Sequence, residues 1–261
     1  MAGDHSELCY KAQHSEIVIV FIHGILGSPS QFSFMLDKLG GAFSVENLLL
    51  PGHGGTIREF AASGMVEWQD YVNERIRRLQ GEYRNIIIVA HSMGCLLSVQ
   101  AALEYPVKIR GLFLMAMPLV IRVRSPYVGS RMISAFQKNA SEEIAAAVRE
   151  SNSVRANGAL SYLMALPRFA ELYFKGRKTR DLVGRLGLPM IVVSSENDET
   201  VSVKSLRYVE NMPNVRLMSA RDSGHFYYPK ETKELLSDAL LHFIGEHDQT
   251  TGINILNTYS I

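Results

Sequence analysis

The sequence predicts an α/β protein, a mostly parallel sheet with helices on both faces, and three observations carry that prediction. Short, continuously apolar, β-branched runs recur without period-two alternation, as expected of strands covered on both faces. Amphipathic stretches separate these runs, so strand and helix alternate in the order that builds a parallel sheet. One long interval carries helical patterning and no convincing strand. It is too long for a bare loop and reads as a helical cap inserted over the strand ends, the edge where open α/β sheets bind ligands.

The elements follow in order. Ile17–Ile22 is the first strong strand, followed by an amphipathic segment over Pro29–Leu39 and a second apolar run at Asn47–Leu50. Val66–Leu79 has helical spacing and leads to the buried run Ile86–Ala90, then to the helix Met93–Glu104 and the strand Gly111–Ala116. Residues 118–186 form the insertion, with helical stretches at Val128–Lys138, Ser141–Arg149 and Ala159–Phe174 rich in Ala, Leu, Met and aromatics. Strand and helix then alternate again through Met190–Ser194, Ser202–Asn211, Val215–Ser219 and Lys230–Ile244. Residues 1–117 and 187–261 therefore make the core domain, 118–186 the cap, and the tail after Gly245 is an appendage with no assigned function.

At 261 residues, one α/β domain with an insertion fits better than two domains. Apolar residues make up 47% and charged residues 20%, ordinary for a globular protein, and a net charge of +1 gives no general reason to expect nucleic acid. The cap is different: residues 118–186 hold 12 Lys and Arg against 5 Asp and Glu. Such a surplus is either a solvated face or a field that attracts an anionic substrate group or a lipid interface. Cys9 and Cys95 are too far apart in role to suggest a disulfide, since Cys95 falls on a helix expected to be buried. The polar N-terminal stretch and the shortness of Ile17–Ile22 predict neither a secretion signal nor a membrane span, and a cytoplasmic compartment is the expectation.

The chemistry centres on Ala90-His91-Ser92-Met93-Gly94, which directly follows Ile86-Ile87-Ile88-Val89. Small residues two before and two after a serine let a strand turn sharply into a helix, the arrangement that presents a nucleophilic hydroxyl above a sheet. The pattern departs from G-x-S-x-G at Ala90, and a serine there also suits a plain helix N-cap. A serine hydroxyl needs a base to take its proton, and the base needs an acid to orient it. The chain offers Asp198 after the run ending at Ser194, and His225 in Asp222-Ser223-Gly224-His225-Phe226 after the run ending at Ser219. Glu196, Glu199 and Asp222 are the rival acids. The order Ser92, Asp198, His225 is the one expected when successive strand ends supply a hydrolase triad.

Two backbone amides must receive the oxyanion. One is expected from Met93 at the start of the elbow helix, where the helix dipole favours negative charge. The other is expected from Ile25 in His23-Gly24-Ile25-Leu26-Gly27, with His23 bracing that loop. His91 is expected on the wall of the site, and His53 of Pro51-Gly52-His53-Gly54 as a wall or hydrogen-bonding residue. Trp68 is expected to pack a helix face. Neither the cysteines nor the histidines have zinc-ligand spacing, and G-x-x-x-x-G-K-[ST] is absent, so no metal or cofactor is expected.

With these residues in place, the chain resembles the α/β-hydrolase superfamily, and within it the small carboxylesterases and monoacylglycerol-lipase-type enzymes. The resemblance runs from about residue 17 to 244. It rests on His23-Gly24 with Gly27, Pro51-Gly52-His53-Gly54, Glu67-Trp68-Gln69-Asp70, the elbow, Asp198 with Val201, and Ser223-Gly224-His225. It implies a Ser92–His225–Asp198 triad, an oxyanion hole from the Ile25 and Met93 amides, and a helical lid. The expected reaction is hydrolysis of a small acyl ester, of short to medium chain or a monoacylglycerol, through an acyl-enzyme. His23, His91, Leu119, Phe136 and Met164 are the expected substrate-facing residues. A thioesterase, an acyltransferase or a C–C bond hydrolase is open to the same triad, and so is a receptor that binds ligand without turnover.

Overall fold

The computed structural model describes residues 5–122, 142–155 and 158–247 of the chain. Seven strands form one sheet: β1 (Leu8–Tyr10), β2 (Ile17–Ile22), β3 (Ser44–Leu48), β4 (Asn85–His91), β5 (Ile109–Met115), β6 (Met190–Ser195) and β7 (Val215–Ala220). Their spatial order is β1-β3-β2-β4-β5-β6-β7, and every pairing is parallel except β1 against β3. The chain is thus α/β with a mostly parallel sheet, as its patterning predicts.

The helices are α1 (Ser33–Leu39), α2 (Ile57–Ala62), α3 (Met65–Glu82), α4 (Met93–Glu104), α5 (Glu142–Ser151), α6 (Leu166–Val183) and α7 (Lys230–His247). Short 3₁₀ segments cover Pro29–Phe32, Ala159–Ala165 and Val203–Tyr208, the last where an amphipathic helix was expected over Ser202–Asn211. Side chains alternate across the interior strand β2. Val18, Val20 and Ile22 face a core completed by Trp68, Val72 and Ile76 of α3 and Leu96 and Leu97 of α4. Ile17, Ile19 and Phe21 face the opposite core, with Phe32, Met35, Leu236, Leu240 and Phe243 from the segments around α1 and α7. Both faces are dry, which is why the strands read as unbroken apolar runs.

Two strands differ most from the sequence expectation. Strand β3 begins at Ser44 rather than Asn47, because Glu46 and Asn47 interrupt its apolar pattern and are accommodated by partners. Glu46 pairs with Arg75 at 3.2 Å and Arg78 at 2.5 Å, and the Asn47 amide donates to the Pro29 carbonyl at 2.9 Å. Strand β1 was not expected at all. It is three residues long and exposed, and it exists by pairing Leu8 with Asn47 and Tyr10 with Val45.

Between β5 and β6 lies the insertion, of which α5, the 159–165 segment and α6 are described. Helix α6 lies against α3 and α4, where the Lys175 ammonium donates to Gln69 Oε1 at 2.9 Å and also to Gln100 Oε1. Burial, with Lys178 nearby, lowers the Lys175 pKa to about 8. The expected stretch Val128–Lys138 and the tail beyond His247 lie outside the described residues. No helix among the described residues is long and apolar enough to cross a membrane. Cys9 is exposed and Cys95 buried, and both are free thiols.

Candidate active site

Chain direction locates the site before any side chain is considered. From β2 the chain passes to β3 on one side, and from β4 it passes to β5 on the other. The crevice beyond the carboxyl ends of β2 and β4 is therefore the switch point where such sheets bind ligands. The loop His23-Gly24-Ile25 leaves β2 there, and Ser92 follows β4 at the same edge.

Ser92 is the residue between β4 and α4, with φ 51° and ψ −119°. A non-glycine residue at positive φ in such a region costs on the order of 1–3 kcal/mol, so the flanks must hold it. They do so by close approach. A Cβ at Gly94 would stand 2.1 Å from the Ile22 carbonyl oxygen, so only glycine lets α4 pass β2 at this distance. A Cβ at Gly24 would stand 3.0 Å from Ser92 Cβ, which shows how closely the loop after β2 crosses the serine. Ala90 is fully buried in the core at the end of β4, so its single methyl is accommodated where glycine is commoner.

The three residues proposed from sequence converge. Ser92 Oγ lies 3.1 Å from His225 Nε2, and His225 Nδ1 lies 2.9 Å from Asp198 Oδ2. All three are at least 95% buried. The other Asp198 oxygen accepts the Thr200 and Val201 amides at 2.8 and 2.6 Å. Those donors favour the carboxylate and leave Oδ2 to hold the imidazole with its proton on Nδ1. Burial works against both charges. The His225–Asp198 attraction outweighs it, holding Asp198 below the usual carboxylate range and His225 above its ordinary 6.5.

The rival acids take other positions. Glu199 Oε2 accepts the His225 backbone amide at 3.0 Å, so it steadies the histidine's backbone instead of its ring. Glu196 accepts the Ser219 hydroxyl at 3.3 Å, and Asp222 is an exposed turn residue at φ 52°.

Three more histidines are buried, His91 beside His225 and His23 beside His53. His91 Nε2–H donates to the His225 carbonyl at 2.8 Å, and their rings stand 4.9 Å apart. Burial and the neighbouring His225 lower the His91 pKa to about 3, so it stays neutral. His23 Nδ1–H donates to the Gly24 carbonyl at 2.8 Å while Nε2 accepts the Leu50 amide at 3.1 Å, tying the loop after β2 to the end of β3. His53 Nδ1–H donates to the Pro51 carbonyl at 3.2 Å, and burial lowers its pKa to about 4. Trp68 packs in the core and donates to that same carbonyl at 2.8 Å.

Ile25 and Met93 are both buried, Met93 as the first residue of α4, where the leading amides of a helix lack intrahelical partners. Leu119 is packed in the core, Met164 is exposed on the insertion, and Phe136 lies outside the described residues. Sequence reasoning missed the Glu199 contact and the contacts that Ser153 of the insertion makes to the loop after β2. Among the described residues, ligand atoms close enough to share an ion occur at Glu7, Cys9 and Glu46 on the β1–β3 edge. Arg75 already pairs with both carboxylates there.

The model of the alpha/beta hydrolase family matches residues 19–237, and the chain belongs to that family. The pimeloyl-[acyl-carrier protein] methyl ester esterase of Yersinia enterocolitica is 28% identical over 127 residues, 48% of this chain and 46% of that protein. The chain spans less than half the length of the curated relatives it matches. One of two metagenome-derived lipolytic enzymes, LipS and LipT, superimposes with a TM-score of 0.72 at 22% identity, covering 95% of this chain and 100% of that one. A soluble variant of the monoglyceride lipase of Saccharomyces cerevisiae does so with a TM-score of 0.68 at 12% identity, over 94% and 92% of the two chains. At these identities the solved structures are alike in fold.

Proposed function

We propose that this protein hydrolyses carboxylic esters through a Ser92–His225–Asp198 triad and an acyl-enzyme. The hydrogen-bonded line from Ser92 Oγ through His225 to Asp198 carries the reading, because each contact has the direction the reaction needs. Ser92 Oγ attacks the ester carbonyl as His225 Nε2 takes its proton, and Asp198 stabilises the resulting imidazolium. The carbonyl oxygen becomes an oxyanion against the Ile25 and Met93 amides, where losing one donor typically costs about 10²–10³ in turnover. His225 then protonates the departing alcohol and activates the water that cleaves the acyl-enzyme. No step calls for a metal or cofactor.

The proposed substrates are small acyl esters or monoacylglycerols, with residues 118–186 as the lid that encloses the acyl chain. The esterase and monoglyceride-lipase names among the relatives support this class, as does the apolar composition of the insertion. Ser92→Ala should fold, judged by an unchanged circular dichroism spectrum, and lose hydrolysis of p-nitrophenyl esters by at least about 10³-fold. A fluorophosphonate should label Ser92 in the parent only. Turnover that survives the substitution would overturn the proposal. Assayed together, p-nitrophenyl esters of rising chain length and monoacylglycerols should then rank the substrates.

A further inference from the structure

The loop that carries Ile25 is gripped from outside the core domain. Leu26 takes φ 58°, a conformation unfavourable for its branched side chain. The two carbonyls that follow the Ile25 peptide are both taken by one residue of the insertion. The Ser153 amide donates to the Leu26 carbonyl at 3.0 Å, and the Ser153 hydroxyl donates to the Gly27 carbonyl at 2.5 Å. The same hydroxyl accepts the Gly54 amide at 3.1 Å, so one buried oxygen joins the loop after β2 to the loop after β3.

The surrounding segment is fixed on both sides. Val154 is buried in the core, and the Arg155 amide donates to the Gly55 carbonyl at 2.9 Å while the Arg155 carbonyl accepts the Ile57 amide at 2.8 Å. One residue before α5 ends, the Glu150 carbonyl accepts the Ser30 hydroxyl at 2.8 Å. Inside the loop, the Gly24 carbonyl accepts both the Gly27 amide and His23 Nδ1–H. Ser153 therefore supplies the outer half of a clamp whose inner half is His23.

We propose that Ser153 is a positioning residue: through the Leu26 and Gly27 carbonyls it sets the direction of the Ile25 amide, so that the insertion helps to build the oxyanion hole as well as covering it. The inference rests on the proposed role of Ile25. Ser153 touches no substrate, and it acts by holding a donor whose misplacement by about 1 Å is enough to cost up to about 100-fold.

The test is Ser153→Ala in the full chain, assayed with a p-nitrophenyl ester. We expect kcat to fall about tenfold with KM within about twofold, the signature of an interaction made in the transition state. Affinity for a trifluoromethyl ketone, whose serine adduct places an oxyanion in the same hole, should fall by a similar factor. Ser153→Cys, which keeps a weaker donor on a somewhat larger side chain, should lie between the two and carries the test if the alanine variant does not fold. Arg155→Ala removes a contact to the Gly54 carbonyl without touching the loop after β2, and should leave kcat unchanged. Parent values of kcat and ketone affinity in both Ser153 variants, or an equal loss in Arg155→Ala, would overturn the inference alone. Failure of the functional reading looks different: hydrolysis in the parent chain would survive Ser92→Ala, and this inference would fall with it.

Discussion

In the proposed mechanism His225 must be neutral at Nε2 to receive the Ser92 proton, so the acid limb of kcat/KM should track its ionisation. The Asp198 carboxylate at 2.9 Å raises the His225 pKa above 6.5 against the effect of burial, and Glu199 adds in the same direction. Raising the pKa means that more of the enzyme is protonated and inactive near neutral pH, so the limb should have its midpoint above 6.5. Asp198→Asn removes the main attraction and leaves burial opposed only by Glu199. The limb should then move to lower pH while the plateau falls by about 10³–10⁴, as loss of the correct imidazole tautomer typically does. A pH–rate profile of both proteins checks this, and a limb that stays in place would remove Asp198 from the proposed role. The three residues of the proposed triad were legible in sequence because each follows an apolar run at a strand's carboxyl end. Glu199 and Ser153 were not, since what each does depends on a backbone group 26 or 126 residues away.

At the scale of elements, strand β2, helix α4 and the loop after β2 are one packed unit, and two glycines in it separate folding from catalysis. Alanine is the better helix former, yet at position 94 its Cβ would meet the Ile22 and His23 carbonyl oxygens at 2.1 and 2.9 Å. Backbone at the sheet's centre yields little, so Gly94→Ala should cost about 3 kcal/mol or more despite the propensity gain of about 1. Gly24→Ala meets Ser92 Cβ at 3.0 Å and His91 Nδ1 at 3.2 Å, contacts that a shift of a few tenths of an ångström relieves. It should lower turnover far more than stability. Thermal unfolding of both variants checks the contrast, and equal melting temperatures would exclude it. The same sheet explains which elements could be read ahead. β2 and α4 match their expected bounds because local pattern and tertiary environment agree. β1 is an exposed strand that exists only through its pairing with β3, information no local window holds. Helix α2 was missed although its capping box, Thr56 with Glu59, stands in the sequence, because six residues are too short to show a periodic face.

Charge is divided unevenly over the whole molecule. The insertion carries a net of +7 in a chain whose total is +1, so the remainder is acidic. Few of the described cations in it are neutralised by carboxylates: Arg149 pairs with Glu142 and Arg168 with Glu171. Arg180 instead donates to the Leu119 carbonyl at 2.6 Å and Arg177 stands over the Tyr173 ring, contacts that leave the charge unbalanced. If this insertion is the lid over Ser92, a substrate must approach through its field, and that field favours anions. The screening length falls from about 10 Å at 0.1 M salt to about 3 Å at 1 M, so the attraction should fade over that range. We therefore expect kcat/KM for an ester with a carboxylate on its acyl chain to fall several-fold between those conditions. A neutral ester of equal length should change little, which controls for effects of salt on the triad. The difference should reside in kcat/KM and not in kcat, because steering changes encounter and leaves the bound chemistry alone. Parallel salt curves for the two esters would make the basic insertion a solvated face with no part in substrate choice.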